Sequence, residues 1–102
     1  MYSISVNKEN FQKEVLESKE PVLLDFYANW CGPCRMVLPI VEQIAEEYPE
    51  YKVCKVNVDE QPELASQFSV MSIPALFVLR DGKVVNQSLG AQPKEQILSM
   101  LE

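Results

Sequence analysis

Cys31 and Cys34 stand three positions apart in Trp30-Cys31-Gly32-Pro33-Cys34, and this pair offers the clearest chemistry in the chain. Two thiols at that spacing can share one disulfide: the first attacks an outside disulfide and the second resolves the mixed product. Only the thiolate attacks, so the pair needs a setting that favours a negative sulfur. A third cysteine, Cys54, is remote in sequence, and there is no histidine. That absence removes Ser–His and Cys–His catalysis and the His-bearing zinc sites. Three cysteines also fall short of the four ligands of a closed zinc or iron–sulfur site. A secreted disulfide framework would carry an even, denser set. The bland alternatives are half of a metal site or two cysteines adjacent by chance; redox use of the close pair is the leading reading.

The elements around the pair are those that such chemistry requires. Val22-Leu23-Leu24-Asp25-Phe26-Tyr27-Ala28 is almost wholly apolar, as a strand buried on both faces should be. A helix is expected from the cysteine pair to Tyr48, with Val37, Val41, Ile44 and Tyr48 on its inner face and Glu42, Glu46 and Glu47 on the others. If Cys31 opens that helix, the unpaired amides and the dipole of its first turn stabilise the thiolate. Cys34 then lies about one helical turn on, within reach of the same sulfur. Pro33 supplies the φ of a first helical turn, Gly32 is expected to let the backbone turn tightly, and Pro39 should kink the helix.

Elsewhere, Ser3 to Val6 reads as a short strand. Asn7 suits the cap of a helix reaching about Ser18, with Phe11, Val15 and Leu16 inward. Tyr51 to Val58 reads as a strand, and Pro62 opens a short helix to Phe68. Ala75–Arg80 and Lys83–Leu89 flank Asp81-Gly82, a strong type I′ hairpin signal. Asn86, Gln87 and Ser88 mark the last strand as an exposed edge. A final helix follows Gln92-Pro93, packing through Ile97, Leu98 and Leu101. The order β-α-β-α-β-α-β-β-α implies one α/β domain over residues 1–102, its mixed sheet parallel at first and closed by an antiparallel hairpin.

With 102 residues, 47% of them hydrophobic, the chain can fill one core. Its net charge of −6 and lack of a basic cluster argue against nucleic acid. No apolar run approaches the roughly 20 residues of a membrane span. The first residues, Met1 to Lys8, do not read as a signal peptide, so a cytoplasmic protein is expected.

The motif Trp30-Cys31-Gly32-Pro33-Cys34 resembles the active-site motif of the thioredoxin family, and the resemblance runs along nearly the whole chain. Asp25-Phe26, Pro39, Lys55-Val56-Asn57-Val58-Asp59, Ile73-Pro74, Asp81-Gly82 and Gly90 all fall at that family's spacings. Tyr27 and Ser72 depart from its commonest pattern. The resemblance implies the thioredoxin fold: a five-stranded mixed sheet of order 1-3-2-4-5 with four helices. It further implies a protein disulfide reductase with Cys31 as nucleophile and Cys34 as resolving thiol. Such a carrier binds no cofactor or metal and is re-reduced by a flavin- and NADPH-dependent thioredoxin reductase. Disulfide-bearing proteins are the expected partners, and a monomer the expected state.

The same resemblance makes Asp25 the buried carboxylate behind Cys34, taking its proton through water, with a raised pKa. It places the Lys55 ammonium near Asp25; the plain alternative is a surface lysine. Pro74 is implied to be cis, with Trp30, Ile73, Pro74, Gly90 and Ala91 forming a shallow apolar groove around Cys31. Cys54 alternates with Val56 and Val58 and reads as a buried apolar group. Two competitors remain: an oxidant or isomerase of the same fold, and a non-redox subunit binding through the groove. Gly32-Pro33 favours the reductant.

Overall fold

The computed structural model describes residues 3–102; Met1 and Tyr2, the first two residues of the expected domain and signal-peptide reading, lie outside the described residues. The chain runs β1 (Ile4–Ser5), a π-helical segment (Gln12–Leu16), β2 (Val22–Tyr27), α1 (Gly32–Glu47), β3 (Lys52–Asn57), α2 (Pro62–Gln67), β4 (Ala75–Arg80), β5 (Lys83–Leu89) and α3 (Lys94–Leu101). The five strands form one sheet of order β1-β3-β2-β4-β5. β1 and β2 pair parallel to β3, whereas β4 and β5 are antiparallel. This is the expected fold.

Alternation along β2 divides the core in two. Leu24 and Phe26 face Phe11, Val15 and Leu64, the layer of the π-helical segment and α2. Leu23 faces Val37, Val41, Ile44, Ile97 and Leu101, the layer of α1 and α3. Because side chains alternate, Asp25 shares the α1 side with Leu23. Phe26, Phe68 and Phe77 pack with ring centroids 5.1–5.5 Å apart, fastening α2's end to the sheet.

Two expectations need correction. Asn7 opens the first helical stretch as expected, but the stretch winds as a π-helix over Gln12–Leu16 and ends before Ser18. Asn7 and Asn10 form a reciprocal capping pair, each side-chain oxygen accepting the other's backbone N–H at 2.8–2.9 Å, and the Phe11 N–H donates to the Asn7 carbonyl at 3.0 Å. A π-helical segment follows, closed by Glu17 N–H donating to Gln12 O, a five-residue span. Gly32 does not make a tight turn: the glycines with positive φ are Gly82 and Gly90, and a Cβ on Gly32 would meet nothing within 4 Å. Pro39 lies inside α1, as expected, on its exposed face.

Topology brings four loops to one edge of the sheet. The parallel strands β2 and β3 end there, leading into residues 28–31 and 58–61. β4 begins there, because Ala75 pairs with Phe26 near the end of β2. β5 ends there, with Leu89 opposite Ala75.

Candidate active site

Cys31 and Cys34 are joined as a disulfide at the junction of β2 and α1. Cys31 caps α1 in an extended conformation, and its Sγ accepts the Cys34 backbone N–H at 3.2 Å. The α1 first turn holds no acidic residue to offset the positive end of the helix dipole, and Pro33 occupies its first positions. In the reduced protein a Cys31 thiolate thus meets both a backbone donor and a favourable dipole. Cys34 lies inside the helix. Both sulfurs are shielded by Ala28, Tyr27, Val58 and Ile73, Cys31 being 4% exposed and Cys34 2%. Exposure does not distinguish them; position on the helix does.

Trp30 stands beside the pair, 67% exposed, its Nε1–H donating to Asp59 Oδ2 at 2.9 Å. Asp59 is fixed in turn by a turn centred on Asn57, whose Oδ1 accepts the backbone N–H groups of Asp59 and Glu60. Arg35 donates from Nε and Nη2 to the Asn29 carbonyl, tying down the loop that carries Trp30. The Ile73 carbonyl oxygen lies 3.9 Å from Cys31 Sγ. The Ile73–Pro74 bond is cis, as implied, and Pro74 is buried. Gly90, at φ +83°, donates its N–H to Pro74 O at 2.8 Å.

An apolar cleft opens between Trp30 and Ile73, walled also by Val58, Val70, Met71 and Ser72. Met71 is 96% exposed at its rim. The cleft takes in Trp30 and Ile73 of the expected groove, whereas Pro74, Gly90 and Ala91 fall outside its walls. Val70 and Met71 were missed in the sequence because they lie in a loop with no periodic signal, and Val58 because its alternation with Val56 reads only as a buried strand position.

Asp25 is wholly buried, and neither carboxyl oxygen has a hydrogen-bond partner among the described residues. Burial pushes its pKa up to about 7; Lys55 opposes the shift and Glu42 adds to it. Lys55 is the β3 residue directly opposite Asp25 in the ladder, yet its ammonium bonds to Glu42, 3.2 Å away, and not to Asp25. Glu42, read from sequence as part of a solvated helix face, is thus a half-buried member of the site's electrostatics. Glu46 and Glu47 are exposed as expected.

Cys54 is fully buried and unpaired, and burial pushes its thiol up to about 12, which leaves it inert as a nucleophile. No cluster among the described residues could hold a metal ion, and no helix is long and apolar enough to cross a membrane.

A disulfide at a helix N-terminus, on the edge of a mixed α/β sheet and beside an apolar cleft, defines a dithiol–disulfide exchange protein. The sequence model of the family described as Thioredoxin matches residues 2–102, so the chain belongs to the thioredoxin family. It is 50% identical over 99 residues to "Thioredoxin 1" of Synechococcus elongatus, covering 96% of this chain and 92% of that one. Against "Thioredoxin" of Chlorobaculum thiosulfatiphilum the identity is 45% over 95 residues, covering 92% and 88%. "Thioredoxin M-type, chloroplastic" of Chlamydomonas reinhardtii is 46% identical over 99 residues, covering 96% and 71%. The chain is a protein disulfide reductase, a member of a family of protein-disulfide oxidoreductases that a thioredoxin reductase recycles.

Proposed function

We propose that Cys31 is the nucleophile of this reductase, Cys34 its resolving thiol and Asp25 the acceptor of the Cys34 proton. The observation that carries the assignment is the Cys31 sulfur at the cap of α1, accepting the Cys34 N–H. The Cys31 thiolate attacks one sulfur of a substrate disulfide, forming a mixed disulfide and expelling the other sulfur as a thiolate. Cys34 passes its proton to Asp25, through water, and attacks Cys31 Sγ. The mixed disulfide breaks, the second substrate sulfur leaves, and the Cys31–Cys34 disulfide forms. Two electrons have passed to the substrate. A flavin- and NADPH-dependent reductase restores the dithiol.

Lys55 tunes Asp25 from β3, and Gly32 and Pro33 shape the first turn of α1. Trp30 and Ile73 hold the substrate segment along the cleft, and Pro74, Gly90 and Ala91 meet it beyond the cleft's walls. The protein works as a monomer, since the cleft must stay open to partners, and needs no bound cofactor. A cytoplasmic setting fits its cysteine usage, one exchange pair and one inert thiol with no structural framework. One domain, residues 1–102, carries the whole activity.

Trapping experiments test the roles. Cys34→Ser should accumulate mixed disulfides with protein substrates on non-reducing gels, and Cys31→Ser should accumulate few. Equal trapping by both variants would refute the assignment.

A further inference from the structure

Asp25 is an acid in an unusual position: fully buried, with both oxygens unpartnered. A cation that could satisfy it is within its own ladder, because Lys55 is its register partner on β3. That cation is engaged elsewhere. Lys55 Nζ bonds to Glu42 Oε2 at 3.2 Å, reaching across to α1. Glu42 is in turn gripped from the segment before β1. The Ser3 backbone N–H donates to Oε1 at 2.9 Å and the Ser3 hydroxyl to Oε2 at 2.6 Å. Two separate elements, the segment before β1 and β3, thus converge on one α1 carboxylate that is not the reacting acid.

We propose that Glu42 is a positioning residue for the buried acid: clamped by Ser3, it holds the Lys55 ammonium away from the Asp25 carboxyl. This rests on the reading of Asp25 as the group that receives the Cys34 proton.

The competition is between two carboxylates for one ammonium. Glu42 has the advantage because it is ionised through the working range. Burial pushes its pKa up, but the Ser3 hydrogen bonds and Lys55 outweigh that and hold it below the usual glutamate value. Asp25 has no hydrogen bond to stabilise its charge. Two charges act on Asp25, Lys55 from β3 lowering its proton affinity and Glu42 from α1 raising it. Apolar side chains make up the core cluster on that side of the sheet: Leu23, Val37, Val41, Leu76, Val78 and Ile97. Tyr27 follows on β2, and Cys34 lies at the start of α1. With Lys55 diverted, Asp25 keeps its proton close to neutrality, where resolution of the mixed disulfide needs an acid that can both take and return one.

Carboxyl carbon NMR titration of Asp25 in the oxidised protein tests this without involving the thiols. Glu42→Gln should lower the Asp25 midpoint by about one pH unit, as Lys55 turns to the remaining carboxylate. Ser3→Ala, which loosens the clamp and leaves α1 intact, should lower it by less. In a Lys55→Met background Glu42→Gln should move the midpoint less than half as far, because its effect passes through the lysine. An unmoved or raised midpoint, or an equal shift in both backgrounds, would overturn the proposal. The pH profile of mixed-disulfide resolution separates the two readings. A midpoint that falls while that profile stays fixed upholds the role of Glu42 and removes Asp25 as the proton acceptor.

Discussion

Asp25 carries the largest conflict between burial and charge in the site. Its folded pKa is raised from 3.8 to about 7, so the native state holds a proton that the unfolded chain releases. The stabilising contribution of that proton is complete below about pH 4 and is lost as pH rises through about 7. At pH 8 the ionised carboxyl costs roughly 4 kcal/mol by that shift. Asp25→Asn keeps the shape without the charge. It should be more stable than the parent at pH 8 by roughly 2–4 kcal/mol, with the difference shrinking towards pH 4. Urea denaturation at a series of pH values reads this directly, and a difference independent of pH would contradict it. The buried setting of Asp25 was legible because apolar neighbours flank it on both sides in β2. Cys31 and Cys34 were legible from their spacing. The partnership of Lys55 with Glu42, and of Trp30 with Asp59, was not. Each joins residues 13 and 29 positions apart, and a surface glutamate or aspartate looks the same in sequence whichever cation or donor folding brings to it.

Elements with a local signature matched their expectations. The β4–β5 hairpin turns through Asp81 and Gly82 at φ +53° and +78°, the paired positive values that a type I′ turn requires. A Cβ on Gly82 would also approach the Leu16 carbonyl oxygen to 3.0 Å. Gly82→Ala should therefore destabilise the protein by about 1–2 kcal/mol from the backbone alone, with the Leu16 contact adding to it. Thermal or urea unfolding at constant pH measures the loss, and a neutral substitution would show that the turn relaxes freely. The helix expected from Asn7 to Ser18 begins where expected, but its winding and its end were not legible. Phe11, Val15 and Leu16 fit the inner face of an α-helix or of a wider turn equally well. The wider turn shows in the five-residue closure from Glu17 to Gln12, while the Asn7–Asn10 capping pair suits either winding. Pro39 was legible as a residue inside α1 that removes one backbone donor, and α1 runs through it to Glu47.

At the scale of the whole molecule, one edge of the sheet gathers residues that the sequence scatters between positions 25 and 91. Parallel β2 and β3 end where antiparallel β4 begins and β5 ends, so the disulfide, the cleft and the Pro74 loop share one surface. The apolar pattern sufficed for the strand types, and the family resemblance for their order. The cleft's far wall, Val58, Val70 and Met71, emerged only when the loops met. If that wall and Trp30 grip protein substrates, Trp30→Ala should raise KM for a protein disulfide about tenfold, equivalent to roughly 1.4 kcal/mol. It should leave the rate with a small aliphatic disulfide nearly unchanged; equal losses with both would place the tryptophan's role in the thiol chemistry and not in binding. The opposite flanks of the sheet face a different hazard, since an open strand flank offers its backbone to any other extended chain. β1 limits that exposure by spanning only Ile4 and Ser5. β5 is seven residues long and displays Val84, Val85 and Leu89, but its ladder shifts register between Val78 and Leu79, and Lys83 opens it with a charge. An interrupted, charged flank is a poor template for stacking, so β5 resists adding a strand from a second copy despite its length.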